Sequence, residues 1–113
     1  MDQNNCSGHL AIQDTFDALG GKWKLIILAS LTEGKKRFKE LSRKTGISPR
    51  MLSKELRDLE RNQLVRRVVC DTKPMTVEYS LTLHSQSVLD LVDALKKWGK
   101  IHRAFITGRA VAD

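Results

Sequence analysis

Cysteine is scarce in this chain: Cys6 and Cys70 are the only two among 113 residues. Two thiols cannot complete a tetrahedral zinc site unaided. His9, His84 and His102 stand at no metal-ligand spacing to them or to one another, so no metal is expected. A structural disulfide would be unusual in a small cytoplasmic domain. Long apolar runs are missing too, since none approaches the ~18 residues of a membrane span. The first residues, MDQNNCSGHLA, lack the basic stretch and apolar core of a secretory signal. A cytoplasmic protein with no membrane partner is expected. There is no Gly-rich phosphate loop, nucleophile–base pair or pair of catalytic carboxylates, so neither a cofactor nor enzymatic activity is expected.

What is present is positive charge, unevenly placed. The chain carries 20 Lys and Arg against 13 Asp and Glu, a net charge of +7. Between Lys35 and Lys73 there are 13 basic and 5 acidic residues, a balance of +8, and the rest of the chain comes to −1. One middle block thus holds all the excess. Such asymmetry is the footprint of a polyanion-binding surface, although a merely solvated basic face has the same composition. The length suits one domain with a single core, and the 41% apolar and 29% charged content is that of an ordinary globular protein.

Periodicity divides the chain into elements. Ile12, Phe16 and Leu19 lie on one helical face, which predicts a short helix from Ala11 to Leu19 ended by Gly20-Gly21. KWKLIILASL, from Lys22 to Leu31, is apolar on nearly every side and reads as a buried helix. Next, Phe38 and Leu41 are three apart, and Gly46 marks a turn. Ser48 is a good N-cap, with Pro49 at the first helical position, where its missing N–H costs nothing. Two short helices joined by a Gly-containing turn, over about 38–61, form a helix-turn-helix pattern. LVRRVVC and the alternating VEYSLTL flank DTKPM and predict a β-hairpin over about 64–83. Val88, Leu91, Val92, Leu95, Trp98, His102 and Phe105 then recur every three or four residues, predicting a long helix over about 86–107. Thr82 and Ser87 both qualify as its cap. The order is that of a winged helix-turn-helix: mainly α with a small β-hairpin, a three-helix core plus wing, in one domain spanning 1–113.

The stretch SPRMLSKELRDLER carries the functional signal. With Arg50 at zero on a helical wheel, Lys54, Arg57 and Arg61 fall within about 40° of it, while Leu52, Leu56 and Leu59 lie about 180–240° away. Glu55, Asp58 and Glu60 fall on the flanks and read as helix-face charges. Neighbouring cations at i, i+4 repel by a few tenths of a kcal/mol, which an anionic partner would offset. The major groove of B-DNA admits one α-helix among closely spaced phosphates. Arg50, Ser53 and Lys54, near the helix start, are placed for base edges, and Arg57 and Arg61 for phosphates. Ser48 and the first-turn N–H groups suit a phosphate. Lys36 and Arg37, with Lys35, precede the first motif helix, and Lys73 sits at the hairpin tip. These residues make up the expected DNA-binding set. Arg66 and Arg67 point to opposite faces of a strand and cannot both touch DNA.

These segments resemble the HxlR-type winged-helix transcriptional regulators of bacteria. The matching stretches are LGGKWKLIIL, RFKELSRKTGISPRMLSKELRDLERNQLVRR, VEYSLTL and a helix containing DALKKWG, covering Cys6 to about His102. The resemblance implies a homodimeric, sequence-specific double-stranded DNA-binding regulator, repressor or activator, with an inducer the sequence does not identify. It implies that the first and last helices form the dimer and that the helix after ISPRML reads the groove. It also implies a redox- or electrophile-sensing cysteine just before the first helix, where Cys6 stands. Cys6 is followed by Ser7 where the family commonly has proline. Thr82-Leu83-His84-Ser85 replaces the usual Thr-Glu-x-Gly.

On residue chemistry alone, the case for Cys6 rests on its closeness to a helix start. Cys70 ends a strand, reads as a small apolar packing residue, and is not at the family's resolving position. The long last helix has more apolar surface than so small a core needs. A dimer would bury it through Ile12, Phe16, Leu91, Leu95, Trp98, His102 and Phe105. Trp23 and Trp98 read as packing residues and not as a cofactor box. Two other functions compete. One is a winged-helix interaction module that docks on an acidic partner without DNA. The other is a small enzyme with Cys6 as nucleophile, which lacks a histidine base tied to it.

Overall fold

The computed structural model describes residues 3–108, with side chains from residue 8 onward. Five α-helices and three strands follow in the order α1 (Gln3–Leu19), α2 (Lys24–Leu31), β1 (Lys36–Arg37), α3 (Phe38–Thr45), α4 (Pro49–Arg61), β2 (Val65–Cys70), β3 (Thr76–Leu81) and α5 (Leu89–Thr107). The chain is mainly helical, with one small antiparallel sheet in the order β1-β3-β2. Helix-turn-helix and β-hairpin together make a winged helix.

Helix α1 begins at Gln3, eight residues before the expected Ala11. Its added first half, QNNCSGHL, is mostly polar and lacks the apolar periodicity that would have marked it. The helix ends at Gly20, whose N–H donates to the Phe16 carbonyl oxygen at 2.7 Å. A Cβ there would sit 2.3 Å from that oxygen, so only glycine fits without a backbone shift. Helix α2 starts at Lys24, two residues later than expected. It is not apolar all round in effect, because Ile26 stays 41% exposed while Ile27, Leu28 and Leu31 are buried.

The turn between α3 and α4 is built by Gly46 at φ 75°, a left-handed conformation that favours glycine. Ser48 caps α4 by accepting the Met51 N–H at 3.3 Å, with Pro49 in the first turn as expected. The far end of α4 closes with paired backbone bonds: Leu64 N–H to Leu59 C=O and Gln63 N–H to Glu60 C=O, both 2.9 Å. This Schellman geometry places Gln63 at φ 61°, where glycine is the usual occupant.

The β2–β3 register runs from Val65 opposite Leu81 to Cys70 opposite Thr76, leaving the loop Asp71–Met75 as the wing tip. The sheet gains a short strand that periodicity cannot reveal: Lys36 and Arg37 pair with Tyr79 and Glu78. The last helix is preceded by a 3₁₀ turn, His84–Val88. Thr82 caps that turn by accepting the Ser85 N–H at 3.0 Å, whereas the Ser87 hydroxyl donates back to the His84 carbonyl at 2.6 Å. Thr82 therefore caps the turn, and neither candidate caps α5 itself, whose N-cap is Val88 with no side-chain hydrogen bond.

One core joins these elements. Ile27, Leu28, Leu31, Leu41, Ile47, Leu52, Leu56, Leu59, Leu64, Val65 and Tyr79 form it. Each buried aliphatic side chain contributes about 1.5–3 kcal/mol relative to exposure. The α4 leucines, at 0–2% exposure, therefore decide which face of that helix turns outward.

Candidate nucleic-acid interface

The sequence wheel and the structure agree on α4. Arg50, Ser53, Lys54, Arg57 and Arg61 are exposed, and Leu52, Leu56 and Leu59 are buried. Arg50 and Arg57 form no salt bridge among the described residues. Lys54 and Arg61 share Asp58, at 3.8 Å and 3.4 Å, while their side chains stay 64% and 76% exposed. Such loose, solvated pairs contribute little and yield easily to a phosphate. Ser48, Arg50, Met51, Lys54 and Arg57 line a shallow recess of about 260 Å³ along the helix. Four cations and a hydroxyl-bearing first turn thus face solvent on one side of a helix held rigidly from the other.

The remaining basic residues divide. Lys73 is exposed in the wing loop, and Arg37 is exposed beside the first motif helix, where its N–H donates to Glu40 at 2.9 Å. Lys36 is mostly covered, its side chain only 12% exposed and its ammonium 3.3 Å from Glu33. Lys44 pairs with the same carboxylate. These two hydrogen bonds, Lys44 first, hold the Glu33 carboxyl below its ordinary value. Lys35, 69% exposed, reaches Glu78 at 3.3 Å. Arg66 and Arg67 are both exposed on β2.

Two readings of individual residues change. Glu55 is not a solvated helix-face charge. It is 8% exposed and accepts a 2.6 Å hydrogen bond from the Lys24 ammonium of α2. Burial alone would lower the Lys24 pKa, but the hydrogen bond and charge of Glu55, followed by Asp58, raise it above 10.5. Cys70 is half-buried, and its thiol donates to a Glu78 carboxylate oxygen at 3.4 Å, so it is not a purely apolar packing residue. Both residues sit on one face of the hairpin, Cys70 on β2 diagonal to Glu78 on β3, within reach across the ladder. That hydrogen bond, and then Lys35, keep the Glu78 carboxyl below its usual range.

The outer helices present apolar surface. On α1, Leu10, Ile12 and Phe16 are 57%, 57% and 69% exposed. On α5, Leu95, Trp98 and Phe105 are 44%, 60% and 82% exposed, with Leu91 at the same face. Trp98 is therefore not part of this chain's core, and its ring stacks on His102 at 4.7 Å. Trp23, by contrast, packs against the core. Leu10, Ile101 and Ile106 join the exposed set, although only the others were picked out by sequence. Ile101 is three residues from Trp98 and four from Phe105, so a fuller count of the period would have found it. Cys6, expected just before the first helix, lies within α1, which begins at Gln3; its side chain lies outside the described residues.

Comparison with known proteins points one way. The HxlR-like helix-turn-helix family profile matches residues 18–105. An uncharacterized HTH-type transcriptional regulator of Methanothermobacter thermautotrophicus is 41% identical over 102 residues, covering 89% of this chain and 75% of that protein. The uncharacterized HTH-type transcriptional regulator YtcD of Bacillus subtilis is 39% identical over 95 residues, covering 83% and 75%. Among solved structures, the redox regulator HypR in its reduced form superposes with a TM-score of 0.80 at 38% identity, covering 87% of this chain and 98% of that one. The chain belongs to the HxlR-like helix-turn-helix family of transcriptional regulators.

Proposed function

We propose that this regulator acts as a cytoplasmic homodimer that reads a specific duplex DNA sequence through α4. The observation that carries the reading is the outward stripe of Arg50, Lys54, Arg57 and Arg61 on a helix whose opposite face is locked into the core. Laid in the major groove, the start of α4 brings Arg50, Ser53 and Lys54 to base edges. Arg57 and Arg61 meet phosphates, and Ser48 sits at a helix N-terminus suited to one. Lys73 on the wing and Arg37 beside α3 add contacts to the backbone. Lys36 contributes only after leaving Glu33.

The exposed apolar faces of α1 and α5 support the dimer. The radius of gyration, 16.7 Å, exceeds the ~13 Å of a compact domain near this size, as outward-projecting helices would make it. Two copies present two recognition helices to half-sites about 34 Å apart, which multiplies weak single-site binding. The likeness to HypR, named a redox regulator, supports a redox response, for which Cys6 is the candidate residue. Cys6→Ser should keep DNA binding and abolish any response to diamide or quinone. An unchanged response in that variant removes Cys6 from the account.

Duplex binding measured across salt concentration tests the main reading. Arg50→Ala and Lys54→Ala should each cost about 1–3 kcal/mol and relax base preference. Binding that is absent at low salt, or indifferent to both substitutions, contradicts it.

A further inference from the structure

A stripe of leucines holds α4 to the core and decides which face turns outward, but it leaves the fine rotation less sharply set. Apolar contact is non-directional and tolerates small turns of a helix about its axis. Base recognition does not tolerate them. An Arg guanidinium ends about 8 Å from the axis of a helix whose Cα radius is about 2.3 Å, so a turn of about 10° displaces it by about 1.4 Å. A hydrogen bond with a range of 2.7–3.2 Å is lost over that distance. A directional contact sharpens the rotation that packing sets.

Among the described residues, the side-chain contact of this kind that reaches α4 from another helix comes from α2. Lys24, at the first turn of α2, is buried with its side chain 11% exposed. Its ammonium reaches Glu55 at 2.6 Å and Asp58 at 3.5 Å. These two acids stand three apart, one turn along the inner flank of α4, so a single cation grips the helix at two points. Asp58 in turn touches Lys54 and Arg61, two members of the outward stripe. The chain of contacts runs from α2, through Lys24 and Asp58, to the side chains facing DNA. Helix α2 also lies against α5, where Leu25, Ile26 and Ala29 face Val92 and Leu95.

We propose that Lys24 is a positioning residue for sequence recognition: it never touches DNA, but its two-point grip on Glu55 and Asp58 sharpens the rotation of α4 on which base reading depends. The proposal rests on α4 being the reading helix. Non-specific binding does not need the grip, because phosphates accept a cation over a range of positions.

The test uses the full-length protein and two duplexes: one selected by the wild type from a randomised pool, and one scrambled from it. Lys24→Met alone leaves Glu55 buried without a partner and is apt to unfold the chain. The double variant Lys24→Met with Glu55→Met replaces the pair by apolar side chains of similar volume, a change that folds commonly tolerate. In this double variant, melting should stay close to wild type, scrambled-duplex affinity should hold within about twofold, and preference for the selected duplex should fall about tenfold or more, each decade being 1.4 kcal/mol. A preference within twofold of wild type overturns the positioning role. So does a parallel fall in both affinities with a loss of melting temperature, which marks Lys24 as a purely structural residue. Failure of the wild type to bind any duplex overturns the DNA-reading proposal itself, a result distinct from either.

Discussion

Replacing Trp98 separates a dimer face from a core. Its side chain is 60% exposed on α5, so it has little to lose within its own chain. A Trp buries about 150–250 Å² when covered, which leaves about 100–150 Å² here for a partner to hide. At about 25 cal/mol per Å², and allowing for what alanine retains, Trp98→Ala removes about 2 kcal/mol from each protomer's contribution. An isologous interface contains the residue twice, so the dimer loses about 4 kcal/mol. That is about three decades in dissociation constant. Sedimentation equilibrium over nanomolar to tens of micromolar protein reads it, with thermal melting as control. The variant should melt within about 0.5 kcal/mol of wild-type stability at a concentration where both are monomeric. Self-association equal to wild type refutes the assignment of this face. So does a variant monomer that has lost several kcal/mol, because the indole would then be a core residue.

Three other perturbations test separate links of the account. Arg57→Ala and Arg61→Ala should each flatten the log–log salt dependence of duplex binding by about one unit while leaving base preference intact, as measured by fluorescence anisotropy titrations. Gln63→Gly should raise the melting temperature, since it relieves a left-handed conformation that costs a non-glycine residue about 1–2 kcal/mol. A fall in melting temperature would contradict the C-cap geometry. Glu33→Gln should alter the pH dependence of stability in one window. The Glu33 carboxyl is held below 4.5, so its contribution is complete above pH 4.5 and is lost as pH falls through the lowered value. The difference between wild type and variant in acid titrations should shrink to nothing below that point.

Helix α4 was legible in sequence because its determinants are local. Ser48 and Pro49 mark its start, and three leucines at helical spacing mark its inner face. Their burial follows from the same pattern that leaves Arg50, Lys54, Arg57 and Arg61 outside. What sequence concealed depends on distant partners. Glu55 differs from Glu60 in facing Lys24, which lies 31 residues away and also reaches Asp58. Strand β1 exists because Lys36 and Arg37 meet Tyr79 and Glu78 across the fold. Lys36 looked like a free cation and is held by Glu33. Trp98 and Phe105 show a helical apolar period that fits a core or an interface equally, and only their exposure distinguishes the two. Helix α1 extends through polar residues that carry no periodic signal, so its first eight positions could not be predicted by pattern.

The central claim is that the outward face of α4 reads DNA sequence. Selection of bound duplexes from a random pool, run in parallel with wild type and with Arg50→Ala, tests it most directly. The wild type should return a palindrome whose half-sites are about 34 Å apart. Arg50→Ala should return the same spacing with base preference lost at one symmetric pair of positions. No enrichment by the wild type, or an identical motif from both proteins, would contradict the claim.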